Sequence, residues 1–320
     1  MPKVYDCFSF LNELDLLELR LETIAPYVDY FVINECDSTH TGIKKEFLYE
    51  QNKQKFAKFA DKIIYVKNYN SQDVTVLDNV YEGKKREIYD SIVALHDGHK
   101  PEHGHGMHGG AWCRQFLHTE YMKLGLDNCN DDDIIMVNDL DEIPNPEVLK
   151  NIKKLDMSKQ YCLLQDNNNY YVNNIASTNW RGTIICTFAH FKNSSFNMMR
   201  HLARQNDKSE LNYTYISDGG WHLSYMLPLK RSEIKLQSCA HQEFNNPFTI
   251  NNLKNNLTNN RDPLGRDSRG YTPSCGHADL QKYQEEVYFD NMKVVKIDEY
   301  LPDNMVKLIE KKFPYLIKEI

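Results

Sequence analysis

The sequence predicts an α/β protein with a mostly parallel central sheet flanked by helices. Two observations carry this. Strand-like and helix-like segments alternate over the first 70 residues, and a buried apolar strand follows at 134–137. "VYDCFSF" reads as a strand, and "NELDLLELRLETI" sets Leu14, Leu17, Leu21 and Ile24 at helical spacing. "YFVINE" and "KIIYV" are short runs of β-formers, with the helical "FLYEQNKQKFAKFA" between them. The order is βαβαβ, whose crossovers start an open parallel sheet. A less regular stretch spans 67–110, followed by a predicted helix over 112–124 and then the apolar strand. Downstream, "YCLLQ", "YYVNN", "GTIICTF" and "YTYIS" read as strands, followed by "GGWHLSYM" and helices near 230–240 and 303–312. No repeat, low-complexity linker or Pro/Gly-rich boundary divides the chain, so one domain over 1–320 with a C-terminal elaboration is expected.

Composition narrows the partners. With 320 residues, 41% hydrophobic and 12% aromatic, the chain can bury a sizeable core. Its 38 basic and 45 acidic residues, net −7, leave no polybasic face for nucleic acid or an anionic membrane. An anionic small ligand would need a metal or a few placed cations. No run approaches the roughly 18 to 20 apolar residues that span a bilayer, and the N-terminus lacks a signal-peptide pattern. The eight cysteines are scattered singly without a CxxC pair, which argues against a zinc cluster and fits a reducing compartment. A cytoplasmic location is expected.

The chemistry concentrates in "DDDIIMVNDLDEIPNPEVL", where Asp139, Asp141 and Glu142 crowd the end of the apolar strand. Like charges that close repel and raise one another's pKa, so something must offset them. In Asp-x-Asp both carboxylates can approach one hard divalent cation, whose other positions take water and phosphate oxygens. Such a cation holds a diphosphate and neutralises the charge that grows as it leaves. The competing reading is that the acids cap the next helix, "NPEVLKNIKK". In an open sheet the carboxyl ends of the strands are where ligands bind, which favours the metal.

Further blocks surround this one in order: "YDCFSFLNELDLLELRL", "VDYFVINECDSTHTGIKK", "NWRGT", "GGWHLSYM" and "KLQSCAHQEFN". Together they resemble the family 17 glycosyltransferases, the β-1,4-mannosyl-glycoprotein 4-β-N-acetylglucosaminyltransferase-like group, from Tyr5 to about Arg266. The resemblance implies a GT-A type, Rossmann-like fold, with 1–145 as the nucleotide-sugar half and 146–320 as the acceptor side. It also implies a UDP-sugar donor, UDP-GlcNAc in the first place, a glycan acceptor, dependence on Mn²⁺ or Mg²⁺, and inversion to a β-linkage. Asp139 and Asp141 match the family's Asp-x-Asp and would meet metal and diphosphate, with Glu142 behind them. Phe10, Asn12, Glu13 and Glu35, at the ends of the first two strands, fall where such enzymes hold uridine and ribose. His222 is a candidate third metal ligand, against the alternative of a histidine hydrogen-bonded beside Trp221. Inversion needs a general base, for which Glu243 and Asp262 are the candidates ahead of Asp218 and Glu142. Lys235, His241, Arg261 and Arg266 are cations that could help the diphosphate leave.

Two features stand apart. Relatives carry an Arg about seven positions after the tryptophan matched here to Trp112, where this chain has Thr119, with His118 before it and Arg114 offset. The run "HDGHKPEHGHGMHGG" holds five histidines, from His96 to His108, on a glycine-rich frame that fixes no ligand geometry; it reads as a mobile surface loop and a candidate lid. A phosphotransferase would also use strand-end acids, but neither GxxxxGK[ST] nor a kinase glycine loop is present. A sugar-binding module would use the Trp and Tyr content but has no need of clustered acids. The acceptor stays open between an N-glycan and a bacterial or viral glycan.

Overall fold

The computed structural model describes residues 1–69, 111–204, 213–266 and 287–320. The histidine-rich run 96–108 lies outside the described residues, as does most of the 67–110 stretch.

The first half follows the alternation. Strand β1 (Val4–Phe10) leads into helix α1 (Leu14–Ile24), then β2 (Tyr30–Cys36), α2 (Leu48–Asn52) with a 3₁₀ continuation (Lys53–Lys62), and β3 (Ile63–Asn68). β1 pairs parallel with β2, and β2 with β3. Leu17, Leu21 and Ile24 are fully buried on α1, each worth about 1.5–3 kcal/mol relative to exposure. Helix α3 (Ala111–Glu120) and a 3₁₀ turn (Tyr121–Gly125) precede β4 (Ile134–Asp139), which pairs parallel with β1 and buries Ile134 to Val137 completely.

The second half departs from the expected parallel sheet. β5 (Glu142–Pro144) and the short α4 (Pro146–Leu149) are followed by β6 (Gln160–Asn169) and β7 (Asn174–Thr187). β7 runs antiparallel to both β4 and β6. The reason is local: "YYVNN", expected as a strand, is the tight connection between β6 and β7, with Tyr170 turned to φ 65°, and so short a link can join only antiparallel neighbours. Helices α5 (Phe188–Phe191) and α6 (Phe196–Arg204) lead to β8 (Tyr213–Ile216) and β9 (Gly220–Ser224), both parallel to β6. Then come α7 (Leu229–Ser238), α8 (Pro247–Thr258), β10 (Val287–Val294), α9 (Ile297–Tyr300) and α10 (Asp303–Lys312). The order β3-β2-β1-β4-β7-β6-β9-β5 makes one mixed sheet through both halves, with β10 on β7 and β8 on β6. No described helix is long and apolar enough to cross a membrane.

Candidate active site

The three acids sit where β4 ends and β5 begins, and Arg20 fixes the backbone there. Its guanidinium is fully buried on α1 and donates to both oxygens of Asp6, at 2.7 and 2.6 Å. The remaining nitrogen donates to the carbonyls of Asp139, Leu140 and Glu142 at 3.3, 3.1 and 2.5 Å. Asp6 also accepts from Asn138 at 2.7 Å, and Thr183 bonds Asn138 in turn. A buried ion pair is costly unless its spare donors are satisfied. Here the turn's carbonyls satisfy them, so the ion pair and the turn form together.

The carboxylates face cations from the second half. Glu142 is fully buried and takes both arms of Arg200 at 2.7 and 2.8 Å, Arg204 at 3.3 Å and the Trp180 indole N–H at 2.9 Å. Burial alone would raise its pKa, but Arg200 and then Arg204 hold it down to about 2. Its other service is to accept the backbone N–H of Asp139 at 3.0 Å. Glu142 therefore anchors the turn and is spoken for.

Asp139 meets Arg200 at 2.6 Å with nearly half of its side chain, 48%, exposed. Loss of hydration, with Glu142 and Asp141 nearby, outweighs Arg200 and raises its pKa. Asp141 is buried at 2.8 Å from the Lys235 ammonium on α7, with His222 Nε2 at 3.7 Å. Burial opposes its ionisation, yet Lys235 and His222 together hold its carboxyl well below the usual carboxylate range. Asp141 in turn raises the pKa of Lys235 against the cost of burial. The helix-capping alternative fails on geometry: the cap of α4 is Asn145, whose side chain accepts from Glu147 N at 3.0 Å.

A shallow open cleft lies between the ends of β1 and β9. Asn12, Glu13, Asp141, Tyr225 and Lys235 line it. Two residues assigned to the nucleotide side and two assigned to the diphosphate thus meet in one place.

Other predicted residues have partners of their own. Phe10 is buried in the core at the end of β1. Glu35 is buried and accepts from Lys45 (2.6 Å), Tyr65 (2.8 Å) and the backbone N–H groups of Leu48 and Tyr49 (2.7 and 3.1 Å), so it anchors the start of α2. His222 pairs with Glu142 across β9 and β5, stacks on Trp180 at 4.4 Å and leaves Nδ1 buried without a hydrogen-bond partner among the described residues. Glu243 bonds His241 at 2.6 Å in the 3₁₀ turn after α7, and His241 packs edge-on against Trp112. Asp262 is buried and held through both oxygens by Arg266 at 2.9 and 2.6 Å. Arg114 donates to the His40 carbonyl at 2.6 Å, and the Thr119 hydroxyl bonds back within α3.

Sequence reasoning missed Arg20, Arg200, Arg204 and Trp180. Signals existed: Asp6 and Arg20 interrupt apolar segments, and Arg200 and Arg204 lie four apart on one helix face, where neighbouring side chains meet.

The sequence model of glycosyltransferase family 17 matches residues 1–102 and 97–256, a span that contains the acid turn, Lys235 and Glu243. No curated protein matches the chain. The chain belongs to glycosyltransferase family 17 and is a glycosyltransferase.

Proposed function

We propose that this family 17 glycosyltransferase has a GT-A type fold, binds Mn²⁺ or Mg²⁺, and transfers N-acetylglucosamine from UDP-GlcNAc to a glycan hydroxyl with inversion to a β-linkage. The observation that carries the reading is the Asp139–Asp141 turn, two strand-end carboxylates of which Asp141 lines a cleft shared with Asn12 and Glu13.

Among the described residues no three metal-ligating side chains already converge. Asp139 and Asp141 would hold the cation, with His222 the nearest further ligand. Two carboxylates fit a hard cation that keeps water and phosphate oxygens in its other positions. When bound, the cation offsets the charge that develops on the leaving diphosphate. Lys235 adds a positive charge on the same wall, suited to a phosphate oxygen.

Glu243 is the proposed general base. It takes the proton of the acceptor hydroxyl as that oxygen bonds to the anomeric carbon and the bond from that carbon to the diphosphate breaks, releasing UDP. Asp262 is the weaker candidate because Arg266 grips both its oxygens, and it lies beyond the matched span.

With Mn²⁺ the protein should hydrolyse UDP-GlcNAc slowly without acceptor and prefer it to GDP-mannose and UDP-glucose. EDTA should abolish turnover, and Asp141→Asn should lower it by about 10²- to 10³-fold, with circular dichroism unchanged. Full activity in chelator would exclude the metal, and preference for a GDP-sugar would exclude the donor. Glu243→Gln should lower kcat by roughly 10²- to 10⁴-fold with donor affinity near wild type. Loss of UDP-sugar binding with turnover kept at saturation would instead make Glu243 a donor ligand.

A further inference from the structure

Helix α7 brings a second cation to the cleft besides Lys235. Arg231 lies four residues before Lys235 on the same helix, so the two side chains leave one face, and both border the cleft. The turn that delivers this helix is strained. Tyr225, directly after β9, is held at φ 52°, a conformation that residues other than glycine seldom adopt, and its carbonyl accepts from the Ser232 hydroxyl of α7 at 3.2 Å. Strain of this kind persists only where the surroundings impose it, and it gathers at ligand sites.

The two cations are matched to different degrees. Lys235 is paired with Asp141 at 2.8 Å. Arg231 gives Nη2 to Asp15 of α1 at 2.9 Å. Asp15 also accepts from the Tyr315 hydroxyl and faces Lys55 at 3.8 Å, so it is held in place and fixes one end of the guanidinium. The other terminal nitrogen, Nη1, has no hydrogen-bond partner among the described residues. Neither cleft carboxylate meets it: Asp141 faces Lys235 and His222, and Glu13 turns back to accept the backbone N–H of Asn12 at 2.9 Å. Donors on a charged group are costly to leave unmade. Access is open, because the Arg231 side chain keeps 22% of its surface exposed and borders the cleft, so a ligand lying there comes against the guanidinium.

The chemistry selects the ligand. A guanidinium with a spare nitrogen, one helical turn from an ammonium, suits anionic oxygens, and phosphate above all. Position selects the phosphate. Lys235 stands at Asp141, on the side of the acid turn, whereas Arg231 stands against Asp15, which follows Asn12 and Glu13 in the chain. Asn12 and Glu13 belong to the nucleoside side in the reading above. A diphosphate laid along α7 therefore puts its nucleoside-linked phosphate at Arg231 and its sugar-linked phosphate at Lys235.

We propose that Arg231 is a donor-binding residue whose Nη1 donates to the phosphate that joins the nucleoside to the rest of the donor. This rests on the nucleotide-sugar reading above and deepens it by adding a residue on which that reading does not depend.

Calorimetric titration of the full chain with UDP and UMP, and displacement of UDP by uridine, all with Mn²⁺ present, tests this without turnover. Arg231→Met leaves Asp15 with Tyr315 and Lys55, so its melting temperature should stay near that of wild type. It should weaken UDP and UMP alike, each about tenfold, the low end for a hydrogen bond to a charged group, and leave uridine unchanged. Arg231→Lys, which keeps the charge without the fork, should lose less for both nucleotides. An equal loss for uridine would place the contact on the nucleoside and overturn the phosphate assignment. Unchanged affinities, or a lowered melting temperature with normal affinity in the folded fraction, would leave Arg231 a structural residue. The wild-type protein tests the underlying reading separately, by titration with GDP and GMP. If it binds these and not UDP, the donor is wrong, and Arg231 stands only if Arg231→Met weakens GDP and GMP while sparing guanosine. A wild type that binds no nucleotide removes the reading and the proposal together.

Discussion

Arg20 reaches the acid turn from the first half of the chain and Arg200 reaches it from the second, and the two arginines touch different atoms. Arg20 holds backbone carbonyls and a buried partner, Asp6, that never faces the cleft. Arg200 holds side-chain carboxylates, one of them the half-exposed Asp139. The parallel first half thus presets where the turn lies, while the mixed second half sets how its charge is balanced. The difference matters for the function proposed above: Asp139 is half-exposed, so water or a ligand can replace Arg200 there, while the backbone beneath it is held by buried donors.

The comparison breaks first at Arg20. Arg20→Met would leave Asp6 charged, buried and without its main partner, and would strip the turn's carbonyls of their donor. Losing one member of a buried pair costs about 3–5 kcal/mol, so urea unfolding should shift by that amount and activity should fall with the fraction folded. A change below about 1 kcal/mol would mean that the turn is held by its strands alone.

Arg200→Met should be milder. Glu142 keeps Arg204 and Trp180, and Asp139 is exposed enough for water to replace the guanidinium. A stability loss of about 1.5–3 kcal/mol, the range for hydrogen bonds to charged groups, is expected in the same unfolding experiment. If Arg200→Met proves costlier than Arg20→Met, the second half sets the turn and the division of labour is reversed.

Part of the candidate site was legible in the sequence. The acids announce themselves because three carboxylates after a fully apolar strand are chemically out of place, and the family resemblance places Asn12 and Glu13, at a strand end, on the uridine and ribose side. Glu35 shares that position, yet the four donors around it tie it to α2. Strand-end location narrows the candidates without choosing among them. Asp262 shows the same limit, since its pairing with Arg266 is possible at many i,i+4 spacings and only the structure makes it bidentate.

By itself the sequence determined the βαβαβ start, the strand under the acids and the family, because apolar periodicity and motif blocks are local properties that neighbouring residues settle among themselves. Only the tertiary structure decided the rest. The tight turn at Tyr170 reversed β7 and mixed the sheet. Arg200 found Asp139 from 61 positions away. Register alone lined up Glu142, His222 and Asn167 on one face. Which strands become neighbours, and in what register, is settled by packing and hydrogen bonding between distant segments, and a linear pattern of residues does not contain that choice.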